Sequence, residues 1–172
     1  MLDAFPTLIA YDGSAAAKAG IADAARLLRP GRIAVVLTVW DFPAVSGLAP
    51  ITADDSLRTS LAEEAARVAA EGARNAKRLG FDATSETSQG APTWERIVKA
   101  AEHHRSDLIV MGSHGRSGIA YALLGSVATA VLHHAPCPVL VSSQGEDVAP
   151  SHSVNGAHVH TSPPMDTRKE TE

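Results

Sequence analysis

Four short stretches of this chain are apolar almost without a break: Thr7 to Tyr11, Ile33 to Val39, Asp107 to Met111 and Val139 to Val141. Each is too short for a typical helix, and the second is rich in β-branched residues. A strand with one wet face alternates apolar and polar residues, whereas a strand covered on both faces has no side to give to water. Continuous apolar runs therefore specify buried strands of a parallel sheet with helices on both faces. The sequence between the runs supplies those helices. Ala17, Ile21, Ala24, Ala25 and Leu28 share one face before Pro30-Gly31 stops the helix. Ser56 to Leu79 gives a longer amphipathic helix with Leu57, Leu61, Ala65, Val68, Ala69, Ala76 and Leu79 near one face, ended at Gly80. Gly90-Ala91-Pro92 introduces a third, with Trp94, Ile97, Val98 and Ala101 inward and Pro92 in the first turn, where it has no N–H to lose. A fourth runs from Ser126 to about His134, and a weaker strand is expected at Ala83 to Thr87. Five strands and four helices in alternation make this an α/β chain.

With 172 residues and 45% apolar content, the chain suits one domain. We assign it to residues 1–143. From about Gln144 to Glu172 the composition turns to Ser, His, Pro, Thr and charges with almost no apolar period, so residues 144–172 are expected to form a disordered C-terminal tail. Asp41 to about Asp55 is long for a connection in a compact domain and reads as a lid or binding loop. A formal charge of -4 and the absence of any Lys/Arg run argue against nucleic acid or an anionic membrane as partner. No apolar run approaches the roughly 18 residues of a membrane span. One cysteine, Cys137, and no recognisable signal peptide point to a reducing, cytoplasmic setting.

The chemistry gathers in one segment. Gly112-Ser113-His114-Gly115 follows a buried strand, and nine residues later Gly125-Ser126 opens a helix. A helix start leaves its first N–H groups unpaired and carries partial positive charge, which favours phosphate oxygens. Ser126 is able to cap that helix or to donate its hydroxyl to an oxygen. Glycines let the backbone approach a phosphate, or supply a positive φ. The segment lacks the lysine of the common phosphate loop, and its G-x-x-G-x-x-G spacing after the fourth strand differs from the G-x-G-x-x-G dinucleotide fingerprint. Taken alone, the pattern fits an ordinary strand-to-helix turn as well as a phosphate site.

The residues also resemble a known family, the universal stress proteins, whose ATP-binding members carry G-x-x-G, nine residues, then G-S or G-T. The resemblance is carried by Met111 to Gly118, by Leu123-Leu124-Gly125-Ser126-Val127 and by His134-Ala135-Pro136-Cys137-Pro138-Val139-Leu140-Val141, with Ala10-Tyr11-Asp12-Gly13-Ser14 and Gly90-Ala91-Pro92 in support. It spans about residues 4 to 142. It implies five parallel strands in the order 3-2-1-4-5, of the adenine-nucleotide alpha-hydrolase-like kind, with ATP at the ends of the first and fourth strands, where open α/β sheets bind ligands. Carried over, Gly112, Gly115, Gly125, Ser126 and Val127 face the phosphates. Asp12 sits by the ribose or by a divalent ion, Mg2+ or Mn2+, on the phosphates, where a hard carboxylate oxygen is the suitable ligand. Ala10 and Val39 border the adenine, with the Val39 backbone offering hydrogen bonds, and Met111 at the head of the motif completes the nucleotide contacts. The resemblance further implies a homodimer through the last strand, whose edge is otherwise open to pairing. Two departures stand out. Ala128 replaces a hydroxyl residue common in ATP-binding members, and Ala120-Tyr121-Ala122 replaces a stretch that often carries arginine, leaving Arg116 as the nearest cation.

Other candidates have plainer readings. Asp12 is also suited to capping the first helix. His114 reads as a hydrogen-bonded turn residue, Trp94 as core and Cys137 as structural. Neighbours on a helix point about 100° apart, so His103-His104 and His133-His134 do not present paired nitrogens to one metal. No nucleophile, base and orienting acid assemble from the motifs, so no catalytic residue is assigned. The favoured function is a nucleotide-dependent regulatory protein of the stress-response kind. The alternatives are slow ATP hydrolysis around a metal held by Asp12, and a nucleotide-independent protein-interaction dimer.

Overall fold

The computed structural model describes residues 5–41, 55–115 and 124–143. In chain order these form β1 (Thr7–Ala10), α1 (Ala15–Leu27), β2 (Ile33–Trp40), α2 (Asp55–Arg78), β3 (Asp82–Gln89), α3 (Thr93–His104), β4 (Leu108–Gly112), α4 (Ser126–His134) and β5 (Val139–Ser142). Every strand pairing is parallel and the order is β3-β2-β1-β4-β5, as expected. The tail at 144–172 and most of the loop between Asp41 and Asp55 lie outside the described residues, as does Arg116.

The apolar runs have a simple cause. Successive residues of a strand point to opposite faces, and here each face has its own core. Ile9, Val36, Val110 and Ala83 pack with Ile21 and Ala24 of α1 and Val68, Ala73 and Ala76 of α2. Leu8, Val35, Leu37, Ile109 and Met111 pack with Ile97 and Ala101 of α3 and Ala128 and Val131 of α4. Leu8, Ile9, Ile21, Leu37 and Ile109 are fully buried, each contributing about 1.5–3 kcal/mol by leaving water.

β3 ladders the whole length of β2, from Ile33↔Asp82 to Trp40↔Gln89, and so exceeds the five residues expected. Its signal is weak because it is a sheet edge with mostly exposed polar side chains. Leu57 and Leu79, expected inward, are 47% and 42% exposed. The 24 residues of α2 run about 36 Å, whereas the eight of β2 cover about 26 Å, so the helix ends overhang the sheet. In its middle, α2 closes on the sheet through Gly72, where a Cβ would stand 2.7 Å from the Tyr11 ring and 2.8 Å from Val36.

Candidate functional site

The strand order reverses between β1 and β4, so the chain leaves these neighbours in opposite directions and a crevice opens above their carboxyl ends. On one side, Tyr11 donates its N–H to the Leu37 carbonyl (2.9 Å), and the chain then departs through Gly13 at φ +83°. Asp12 accepts the Ser14 N–H on Oδ1 (3.0 Å), and Ser14, not Asp12, caps α1 by accepting from Ala17 N–H (3.1 Å). Asp12 is thus fixed by the turn, with its carboxylate over the crevice.

On the other side, the end of β4 folds back on the start of α4. Gly125 donates its N–H to the Ser113 carbonyl (2.8 Å). Crowding against backbone calls for glycine at 112 and 125, and at 115 a side chain would have to push aside the Asp12 carboxylate, while the described glycines that adopt positive φ lie elsewhere. A Cβ on Gly112 would meet the Ala17 backbone at 2.8 Å, one on Gly115 the Asp12 Oδ2 at 2.9 Å, and one on Gly125 the Ser113 carbonyl at 2.9 Å. Gly125, rather than Ser126, is the N-cap of α4, in extended conformation and with no side-chain cap. The first N–H groups of α4, at Ser126, Val127 and Ala128, therefore face outward without a helical acceptor.

Main-chain direction sets the remaining polar edge. Because Leu37 turns its carbonyl to β1, Val39, two residues on, turns its N–H and carbonyl to the same side. There the pairing with β1 has ended at Ala10↔Leu37, and the Tyr11 carbonyl accepts from Thr38 Oγ1 (2.8 Å). The Val39 edge thus opens beyond the end of β1.

These parts surround a single cavity of about 550 Å³. Its apolar half is lined by Ala10, Val39 and Met111, and its polar half by Asp12, Gly112, Gly115, Gly125, Ser126 and Val127, so all nine expected positions come together. Leu37, Thr93, Ile97 and His114 join them. Thr93 and Ile97 were not foreseeable, because periodicity shows the inward face of α3 but not which strand end its first turn overhangs. Among the described residues no group of three His, Cys, Asp or Glu is placed to hold a metal. A divalent ion here would need Asp12 together with oxygens of a ligand.

Tyr11 ties the cavity wall to α2. Its hydroxyl donates to Glu71 Oε1 (2.9 Å), and Glu71 pairs with Lys18 (3.1 Å). Burial first, then the Glu71 carboxylate, pushes the phenol far above its ordinary range, while Lys18 and the Tyr11 hydroxyl lower the Glu71 carboxyl. Trp94 packs against the core on the α3 and α4 face, as expected, and its half-buried ring stacks on His134 with centroids 4.5 Å apart. His104 has a partner on β3, its Nε2 lying 2.7 Å from Glu86 Oε2. Burial raises the Cys137 thiol, which suits a structural residue better than a nucleophile.

Comparison with known proteins adds an independent line. The universal stress protein family model matches residues 6–143. A universal stress protein of Thermus aquaticus is 37% identical over 136 residues, covering 78% of this chain and 95% of that one. Universal stress protein MJ0577 of Methanocaldococcus jannaschii is 36% identical over 88 residues, a match covering 51% of this chain and about half, 54%, of that protein. By structure, MJ0577 superposes with a TM-score of 0.71 at 27% identity, over 84% of this chain and 99% of that one. A universal stress protein solved in complex with cAMP superposes with a TM-score of 0.53 at 25% identity, over 80% and 97%.

Proposed function

Since this chain belongs to the universal stress protein family, we propose that it binds an adenine nucleotide, ATP first, and acts as a nucleotide-dependent regulatory protein of the stress response. The observation that carries this is the joining, in one cavity, of an open main-chain edge at Val39 and an uncapped helix start at Gly125. The Val39 edge offers a donor and an acceptor to a base, with Ala10 and Met111 as its apolar bed. The N–H groups at Ser126 and Val127 and the close turns at Gly112 and Gly115 offer donors to phosphates. Asp12 takes the ribose hydroxyls or a Mg2+ or Mn2+ ion carried by the phosphates. The cAMP complex of a relative supports an adenine nucleotide as the ligand class.

In this reading nucleotide occupancy alters the loop between Asp41 and Asp55 or the surface of a homodimer paired through β5, in the cytoplasm. The direct test is to purify the protein without added nucleotide, denature it and identify what is released, then to titrate ATP, AMP and cAMP calorimetrically. Release of an adenine nucleotide, or micromolar affinity for one, is expected; no binding of any of the three overturns the proposal.

A further inference from the structure

One side chain of the turn after β4 is left unused when the phosphates are held by backbone alone. His114 lines the cavity between Gly112 and Gly115. Its ring is anchored, with Nδ1 3.0 Å from the Oγ of Ser113, a residue only 7% exposed. A buried hydroxyl proton needs an acceptor, and among the described residues Nδ1 of His114 is the partner the Ser113 hydroxyl has. If Ser113 donates, the neutral ring carries its proton on Nε2.

The start of α4 lies beside one edge of that ring. A Cβ on Gly125 would come within 3.7 Å of Cδ2 of His114, the ring carbon bonded to Nε2. The Cδ2 edge of the ring, next to Nε2, therefore borders the residue that precedes the bare N–H groups of Ser126 and Val127. Asp12, the carboxylate lining this cavity, is engaged on the β1 side with the Ser14 N–H.

Resting on the nucleotide-binding reading, we propose that His114 is a phosphate ligand, donating Nε2–H to a phosphate oxygen beside the α4 N–H groups, with Ser113 setting its tautomer. A hydrogen bond to a charged oxygen is worth more than one to a neutral acceptor. His114 thereby sets the preference of the site for a phosphorylated nucleotide over the bare nucleoside.

The test is calorimetry with ATP, AMP and adenosine on wild type, His114→Ala and His114→Gln, the glutamine amide reaching close to the position of Nε2. His114→Ala is expected to weaken ATP and AMP about 10- to 100-fold and to leave adenosine within about twofold, while His114→Gln recovers most of the loss. In wild type, ATP shifts the ring 15N resonance of Nε2 and adenosine does not. If wild type binds no adenine nucleotide, the functional reading fails and this one with it. If wild type binds and His114→Ala binds ATP equally well, only the role of His114 is overturned. Equal weakening of ATP and adenosine, with a lowered melting temperature, shows a structural role and overturns it too, as does a His114→Gln variant no better than alanine.

Discussion

Asp12 and Gly115 are held against each other across the mouth of the cavity: the space a Cβ on residue 115 would take lies 2.9 Å from Asp12 Oδ2. The two residues come from opposite sides of the point where the strand order reverses, so their contact measures how tightly the crevice is closed.

Gly115→Ala must displace the Asp12 carboxylate or open the turn after β4. Because the atom in the way is the end of a side chain and Gly115 itself is exposed, we expect little loss of stability and ATP binding weakened about tenfold or more. Placing Gly115→Ala in an Asp12→Ala background removes the clash, so the second substitution should then have little further effect. A double-mutant cycle on ATP affinity checks this, and strict additivity of the two losses would show that the residues act independently. The same Asp12→Ala protein tests hydrolysis: turnover above the uncatalysed rate in wild type, lost in Asp12→Ala while binding survives, favours the enzyme alternative.

Amide hydrogen exchange separates the two ends of the site. Adenosine should slow exchange at Val39 and leave Ser126 and Val127 unchanged, tripolyphosphate should do the reverse, and ATP should slow all three. Protection of Ser126 and Val127 by adenosine alone would contradict the proposed orientation.

Gly72→Ala places a methyl group into the Tyr11 ring and Val36. Overpacking of this kind costs about 1–3 kcal/mol, seen as a lower denaturation midpoint. Tyr11→Phe keeps the ring and should not relieve it.

The Tyr11 phenol is shifted upward by burial and by Glu71. Below the ordinary tyrosine value, about 10, the folded and unfolded states both keep the proton and the stabilisation is fully present. Above it the unfolded state ionises first, so stability falls as pH rises. Absorbance at 295 nm should show Tyr11 resisting ionisation at pH 11 until the protein unfolds, and Tyr11→Phe should flatten the alkaline decline.

β5 offers a clean test of self-association. Ile109 and Ser113 donate to the Pro138 and Ser142 carbonyls, so Leu140 and Ser142 turn their main chains to β4, and Val139 and Val141 turn theirs to the free edge. Val141→Pro therefore removes an outward N–H while sparing the ladder to β4. We expect a monomer by light scattering with ATP affinity retained. A variant that stays dimeric places the interface elsewhere.

Much of this was legible along the chain because it depends on local chemistry. The runs at β1, β2 and β4 read as strands covered on both faces, since two cores leave few positions for polar residues, and the buried Thr38 meets its need by donating to the Tyr11 carbonyl. Gly80 and Pro30-Gly31 marked helix ends by local backbone chemistry, glycine through its freedom and proline through its fixed φ and missing N–H. β3 was faint because an edge strand answers to its neighbour and to water more than to a core. The pairings of His104 with Glu86 and of Trp94 with His134 were not visible, because these residues are far enough apart along the chain that no spacing rule joins them.

By itself the sequence determined the class of fold, the place of each buried strand and the segment from Gly112 to Val127 where a phosphate site was to be sought, because periodicity and glycine spacing are properties of neighbouring residues. Tertiary structure decided why those glycines are there: Gly112 makes room for α1, Gly115 for Asp12 and Gly125 for the Ser113 carbonyl. It also decided that the open edge at Val39 and the bare N–H groups of α4 belong to one cavity. Those are distances between residues remote in the chain, set only when two cores pack on opposite faces of one sheet.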